Sequence, residues 1–96
     1  AWVKFHNDGY NESRVGESMH VWADYFPPNM KCEITQDYLD YDVERGIYEY
    51  ELSEDKSSVW LHFKNPGSGL FHFEVGEPLD TSTMVWIHVY PLDWGN

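Results

Sequence analysis

The chain has 96 residues, enough for one domain with a single hydrophobic core. Aromatic residues make up 18% of it, so a few large side chains must provide much of the buried surface. Seventeen acidic and six basic residues give a net charge of −11, which argues against nucleic acid and anionic membrane surfaces as partners, and no apolar run is long enough to insert into a membrane.

Three strands are predicted in the first part of the chain, because apolar and polar residues alternate there. Trp2–His6 forms the first strand and ends at Asn7-Asp8-Gly9, whose residues favour a turn. The second strand, Glu17–Tyr25, stops before Pro27-Pro28, because proline donates no hydrogen bond to a β-ladder. Met30–Thr35 forms the third strand.

The stretch Tyr38–Leu52 is predicted to form a β-hairpin that turns at Arg45-Gly46. This register puts six apolar side chains on one face: Leu39, Tyr41, Val43, Tyr48, Tyr50 and Leu52. The other face gathers four carboxylates in opposed pairs, Asp40 with Glu51 and Asp42 with Glu49. Oxygen ligands that converge in this way could hold Ca²⁺, which would relieve their repulsion. A solvated acidic edge that discourages aggregation is the alternative interpretation.

Two further strands are predicted in Val59–Val75, on either side of the break Asn65-Pro66-Gly67-Ser68-Gly69. If the break is a hairpin turn, His62 faces His72 and the two imidazoles could bind Zn²⁺. If the break is a corner between two sheets, these histidines are separated. A loop at residues 76–83 then leads to the last strand, Met84–Tyr90.

These elements predict an all-β fold, a two-sheet antiparallel β-sandwich of immunoglobulin-like or jelly-roll-like topology with about seven or eight short strands. The segment from Asn65 to Val75 resembles the corner between the fifth and sixth strands of immunoglobulin-like modules in filamin and in bacterial surface proteins. Val15-Gly16-Glu17 is similar to the start of the second strand in such modules. We expect a single domain over residues 1–96, excised from a longer chain.

Three tryptophans, Trp22, Trp60 and Trp86, lie in the opposite phase from the aliphatic residues of their strands, which predicts indoles on the outer surface. Flat aromatic rings suit the C–H faces of pyranose sugars. In this respect the chain resembles the noncatalytic carbohydrate-binding modules of polysaccharide-degrading enzymes. The resemblance implies a polysaccharide or glycan partner, Tyr38 and Tyr90 as further contacts, and a secreted or cell-surface protein.

The alternative is that these tryptophans belong to the core. The domain would then be an immunoglobulin-like spacer or adhesion domain whose partner is another protein.

No motif in the chain predicts catalysis. No serine lies in a nucleophile elbow, no glycine-rich phosphate loop is present, and Cys32 has no base beside it in the sequence. The alternation of Cys32 with Ile34 predicts a small buried core residue instead. We therefore expect a binding protein without catalytic residues, and no cofactor apart from the Ca²⁺ considered above.

Overall fold

The structure, a computed structural model, describes residues 2–93 except for the side chain of Phe71. The strands are β1 Trp2–Phe5, β2 Gly9–Arg14, β3 Ser18–Phe26, β4 Tyr48–Leu52, β5 Ser58–Phe63, β6 Gly67–Val75 and β7 Thr81–Tyr90, and the helix α1 spans Asp37–Glu44. The first sheet has the order β1-β3-β5-β4, and the second sheet has the order β2-β7-β6. The predicted all-β two-sheet sandwich is therefore confirmed.

The strand order can be compared with that of an immunoglobulin-like sandwich. The first sheet corresponds to the A-B-E-D sheet of that topology, and β6 with β7 corresponds to the F-G pair of the opposite sheet. The predicted strand Met30–Thr35 is reduced to a single bridge, in which Ile34 pairs with Val75 beside β6. Cys32 and Ile34 are buried, as their phase predicts.

The strand β2 is not predicted by the sequence pattern, and it pairs parallel with β7 in a sandwich that is otherwise antiparallel. Its residues are mostly polar, and its inward positions Asn11 and Ser13 are only half-buried. The Asn11 side chain donates to the backbone oxygen of Asn7 across 2.6 Å. An edge strand held mainly by backbone bonds has no need of apolar alternation, so its sequence gives no period-two signal.

The chain crosses from one sheet to the other at Asn65-Pro66-Gly67, since β5 lies in the first sheet and β6 in the second. The corner is therefore confirmed, and the hairpin alternative is wrong. His62 and His72 lie in different sheets, so the zinc pair that depended on the hairpin does not form. The Asn65 side chain donates to the backbone oxygen of Gly46 across 2.9 Å, which ties the corner to the end of α1.

The predicted hairpin at Tyr38–Leu52 is wrong, because its first half is α1 and only its second half is a strand. Asp37 and Asp40 lie in the first helical turn, where negative charge stabilises the exposed N–H groups. Leu39 faces the core and is buried. The helix packs against β4 and β6.

A Schellman motif ends the helix at the position where the hairpin turn was predicted. Gly46 adopts a φ of +77°, and its N–H donates to the oxygen of Val43 across 2.9 Å. The N–H of Ile47 donates to the oxygen of Asp42 across 3.3 Å. Glycine carries no Cβ and adopts this left-handed conformation without strain. Gly46, which was predicted to form a hairpin turn, therefore ends the helix instead.

The core lies between the inner faces of the two sheets. Its largest fully buried side chains come from both sheets and from α1: Tyr48, Phe63, Phe73, Leu39, Leu61, Val21, Val59, Val75, Val85 and Val89. The residues that alternate with these on the strands therefore form two outer faces on opposite sides of the molecule.

Candidate functional site

A groove runs between α1 and β6 on the outer side of the second sheet. It has a volume of about 440 Å³, and its exposed lining is mainly apolar. The residues that line it are Asp37, Tyr38, Tyr41, Asp42, Arg45, Leu70 and His72. A concave apolar surface with a few polar groups is the usual form of a small-molecule site.

Two tyrosines from α1 form one side of the groove. Tyr38 stacks on His72 of β6 with 4.4 Å between ring centroids and 29° between ring planes. Tyr41 lies one helical turn further along, on the same side of the helix, and is 58% exposed. The guanidinium carbon of Arg45 lies 5.6 Å from the centroid of the Tyr41 ring, a cation–π contact that holds the arginine at the rim.

Trp86 lies beside the groove, on the outer side of the second sheet. It lies on β7 directly opposite Leu70 of β6 and directly opposite Tyr10 of β2. The indole is 51% exposed, and the Tyr10 ring is also exposed. We call this surface the Trp86 face, and define it by nine of the outward residues of the second sheet: Tyr10, Glu12, Ser68, Leu70, His72, Met84, Trp86, His88 and Tyr90.

Asp42 lies beneath the groove and is only 3% exposed. The hydroxyl of Tyr48 donates to its Oδ2 across 2.8 Å. Burial raises the pKa of the Asp42 carboxyl, and the Tyr48 hydrogen bond together with the charges of Arg45 and His72 partly offsets this rise. Burial, with the nearby Asp42 carboxylate, raises the pKa of the Tyr48 hydroxyl, so Tyr48 stays a hydrogen-bond donor.

Tyr90 lies on the Trp86 face but is half-buried. Its ring packs edge-on against His88 with 4.4 Å between centroids. Partial desolvation raises the pKa of its hydroxyl, and a hydrogen bond to the Glu12 carboxylate raises it further. Tyr90 is therefore placed to support the face rather than to present a flat ring.

Trp22 and Trp60 lie on the opposite side of the molecule, on the outer face of the first sheet. They belong to a ladder of stacked rings that runs from the turn after β1 across β3 to β5, in the order His6, Trp22, His20 and Trp60. Neighbouring centroids are 4.2, 4.9 and 4.7 Å apart, and neighbouring planes differ by no more than 23°. Trp22 is half-buried between two imidazoles, whereas Trp60 ends the ladder and is 47% exposed.

We call this second surface the Trp60 face, and define it by His6, Ser18, His20, Trp22, Glu51, Trp60 and His62. The surface exposure predicted for Trp60 and Trp86 is confirmed. The residues predicted to bind one ligand are nevertheless divided, because Trp22 and Trp60 face away from Trp86, Tyr38 and Tyr90. The two groups cannot contact the same ligand ring.

The four carboxylates predicted to converge on a cation are dispersed. Asp40 and Asp42 lie on α1 and accept hydrogen bonds from Tyr50 and Tyr48 respectively, while Glu51 of β4 lies 2.9 Å from Nε2 of His62. Glu49 is exposed on β4. The opposed pairs depended on a hairpin that does not exist, so the predicted convergence is wrong. Within residues 2–93, no group of three or more His, Cys, Asp or Glu side chains is placed to hold a metal ion.

The sequence did not identify Tyr41, Arg45 and Leu70 as ligand contacts, and it singled out His72 only as a possible zinc ligand. The missed signal is the spacing of Tyr38 and Tyr41, which share one side of a helix but lie on opposite faces of a strand. Interpreting Tyr38–Leu52 as a hairpin placed Tyr41 in the core and Arg45 in a turn.

Comparison of the chain with protein-family models, with curated proteins and with solved structures finds no match. Among the residues that the structure describes, no helix has the length and apolar character needed to cross a membrane.

Proposed function

We propose that this domain binds neutral glycan chains without catalysis, in the groove between α1 and β6 and on the adjoining Trp86. It would act as an accessory module of an extracellular polysaccharide-active protein or of a cell-surface protein. The observation that carries the proposal is adjacency: the concave groove is lined by two tyrosines, and its lining residue Leu70 lies directly opposite the half-exposed indole of Trp86.

The groove offers both kinds of contact that a sugar requires. The rings of Tyr41 and Trp86 supply apolar surface for the C–H faces of pyranose rings. Asp37 and Arg45 lie at the rim, where a carboxylate accepts hydrogen bonds from sugar hydroxyls and a guanidinium donates to their oxygens. The net charge of −11 favours an uncharged polymer over a polyanionic one.

The alternative, an adhesion domain that binds another protein, is supported by the immunoglobulin-like strand order alone. That alternative was tied to tryptophans in the core. Trp60 and Trp86 are instead about half exposed, which favours a ligand-facing role.

Isothermal titration calorimetry against soluble oligosaccharides from β-glucans, xylans and mannans tests the proposal. We expect binding to at least one class, and at least a tenfold loss of affinity for the groove site in Trp86→Ala and in Tyr38→Ala. Leu92→Ala is the matched control, since Leu92 is exposed and lies outside both faces. Lack of binding to every class in the panel would contradict the proposal.

A further inference from the structure

The central strands of the two sheets carry the same pattern of residues. In β5 it is Val59-Trp60-Leu61-His62-Phe63, and in β7 it is Val85-Trp86-Ile87-His88-Val89. In each strand the first, third and fifth residues of the pattern are apolar and face the core, while the tryptophan and the histidine two positions later face outward. Both outer faces therefore present a Trp-x-His pair at the middle of a sheet.

A serine completes the pair on each face in the same way. Ser18 of β3 lies directly opposite His62, and its Oγ is 2.7 Å from Nδ1 of that ring. Ser68 of β6 lies directly opposite His88, and its Oγ is 2.5 Å from Nδ1 of that ring. On both faces the serine hydroxyl therefore contacts the same ring nitrogen, Nδ1.

A glutamate lies on the other side of each histidine. Nε2 of His62 is 2.9 Å from Oε1 of Glu51, and Glu12 of β2 lies directly opposite His88. A carboxylate only accepts hydrogen bonds, so Nε2 of neutral His62 carries the proton and Nδ1 accepts from Ser18. The Ser18 oxygen thus keeps a lone pair that can accept a hydrogen bond from a ligand hydroxyl.

From this correspondence we infer that the domain is bivalent: the Trp60 face binds a second neutral glycan chain, so that one domain bridges two chains on opposite sides of the sandwich. This inference depends on the proposed function. Its occupant follows from the shared chemistry of the two faces, since both combine a half-exposed indole with a hydrogen-bonded serine–histidine pair and a glutamate on the neighbouring strand. Carboxylates on both faces and the net charge of −11 disfavour a polyanionic occupant.

Within the Trp60 face, Trp60 is the ring available to the ligand. One side of its indole stacks on His20, while the other side points toward the edge strand β4 and leaves the ring 47% exposed. Both sides of Trp22 are in contact with imidazoles, of His6 and His20. We therefore assign Trp60 the ligand contact and Trp22 a supporting role.

Calorimetry with the oligosaccharide that binds in the panel gives the stoichiometry. We expect two sites per domain for the unmodified protein and for Leu92→Ala, one site for Trp60→Ala and for Trp86→Ala, and none for the double variant. Ser18→Ala provides an independent test that leaves the core intact, and we expect it to weaken one of the two sites about fivefold, as befits one lost hydrogen bond.

Aggregation of the long-chain polysaccharide gives a second readout. A bivalent domain should cross-link the polymer and raise its turbidity, and neither single tryptophan variant should do so. One site per domain, lost in Trp86→Ala and unaffected by Trp60→Ala and Ser18→Ala, would overturn the bivalency while the proposed function stands. Absence of all binding would overturn both.

Discussion

The hydroxyl of Tyr48 on β4 donates a hydrogen bond to the buried carboxylate of Asp42 on α1, across 2.8 Å. Both side chains are almost fully enclosed, at 2% and 3% exposure. A second bond, from the Tyr50 hydroxyl to Asp40, joins the same two elements at the surface. Because α1 forms one side of the groove, these tyrosines fix the position of the helix against the first sheet.

Tyr48→Phe should destabilise the fold by about 1–3 kcal/mol, because it leaves a buried carboxylate without its donor. Tyr50→Phe is the matched control: it removes a similar bond at an exposed position and should cost less than about 1 kcal/mol. Urea unfolding followed by circular dichroism measures both values. Equal losses in the two variants would contradict the burial-dependent role assigned to Tyr48.

The raised pKa of Asp42 predicts a particular dependence of stability on pH. Between the ordinary value of 3.8 and the raised folded value, the native state holds more protons at this site than the unfolded state does. The contribution of Asp42 to stability therefore falls as pH rises through that window. Asp42→Asn can still accept from Tyr48 but does not ionise, so its stability relative to the unmodified protein should increase from pH 3 to pH 7.

Asp55 is a control for which the opposite dependence of stability on pH is expected, because its pKa is lowered. Hydrogen bonds from Ser57 and Ser53 lower its pKa to about 2, so its contribution is present above 3.8 and is lost as pH falls toward 2. Asp55→Asn should therefore lose stability relative to the unmodified protein as pH rises across the same range. Parallel slopes for the two asparagine variants, measured by urea unfolding, would refute the assignment.

The sequence predicts most of the strands because aliphatic residues alternate in them, but the same rule conceals the helix. Leu39, Tyr41 and Val43 alternate as in a strand, yet Leu39 and Val43 are also four residues apart and share one side of a helix. The acidic residues Asp37 and Asp40 at one end and Gly46 at the other are helix boundary signals. In this segment, these boundary signals favour the helical period of about 3.6 residues over the strand period of two residues.

The exposure of Trp60 and Trp86 follows from phase alone, but their separation does not. Phase tells which side chains share a face of one strand; it does not tell to which sheet that strand belongs. The corner at Asn65-Pro66-Gly67 places β5 and β6 in different sheets, so outward residues on β5 and β7 face opposite directions. The groove likewise depends on where α1 packs, which is a property of tertiary structure.

The end of α1 at Gly46 can be tested directly. Gly46→Ala should destabilise the protein by about 1 kcal/mol, because alanine resists a φ of +77°. An added Cβ would lie 3.7 Å from the Asn65 amide nitrogen, an ordinary contact, so the cost arises in the backbone. Gly76→Ala, where φ lies outside the left-handed region, should be neutral or stabilising by up to about 1 kcal/mol. A loss of stability in Gly76→Ala as large as that in Gly46→Ala would contradict this account.

The ring ladder predicts different solvent access for the tryptophans. Trp22 is enclosed between His6 and His20, whereas Trp60 and Trp86 are about half exposed, so a neutral quencher should reach the latter two more readily. Acrylamide is preferable to iodide, which a protein of charge −11 repels. Trp60→Phe and Trp86→Phe should each lower the quenchable fraction of the fluorescence more than Trp22→Phe does.

Trp94 lies outside the described residues, but it is common to all three variants and does not affect the comparison. A larger drop in Trp22→Phe than in the other two variants would show that the Trp22 indole is open to solvent, and would remove the supporting role assigned to it.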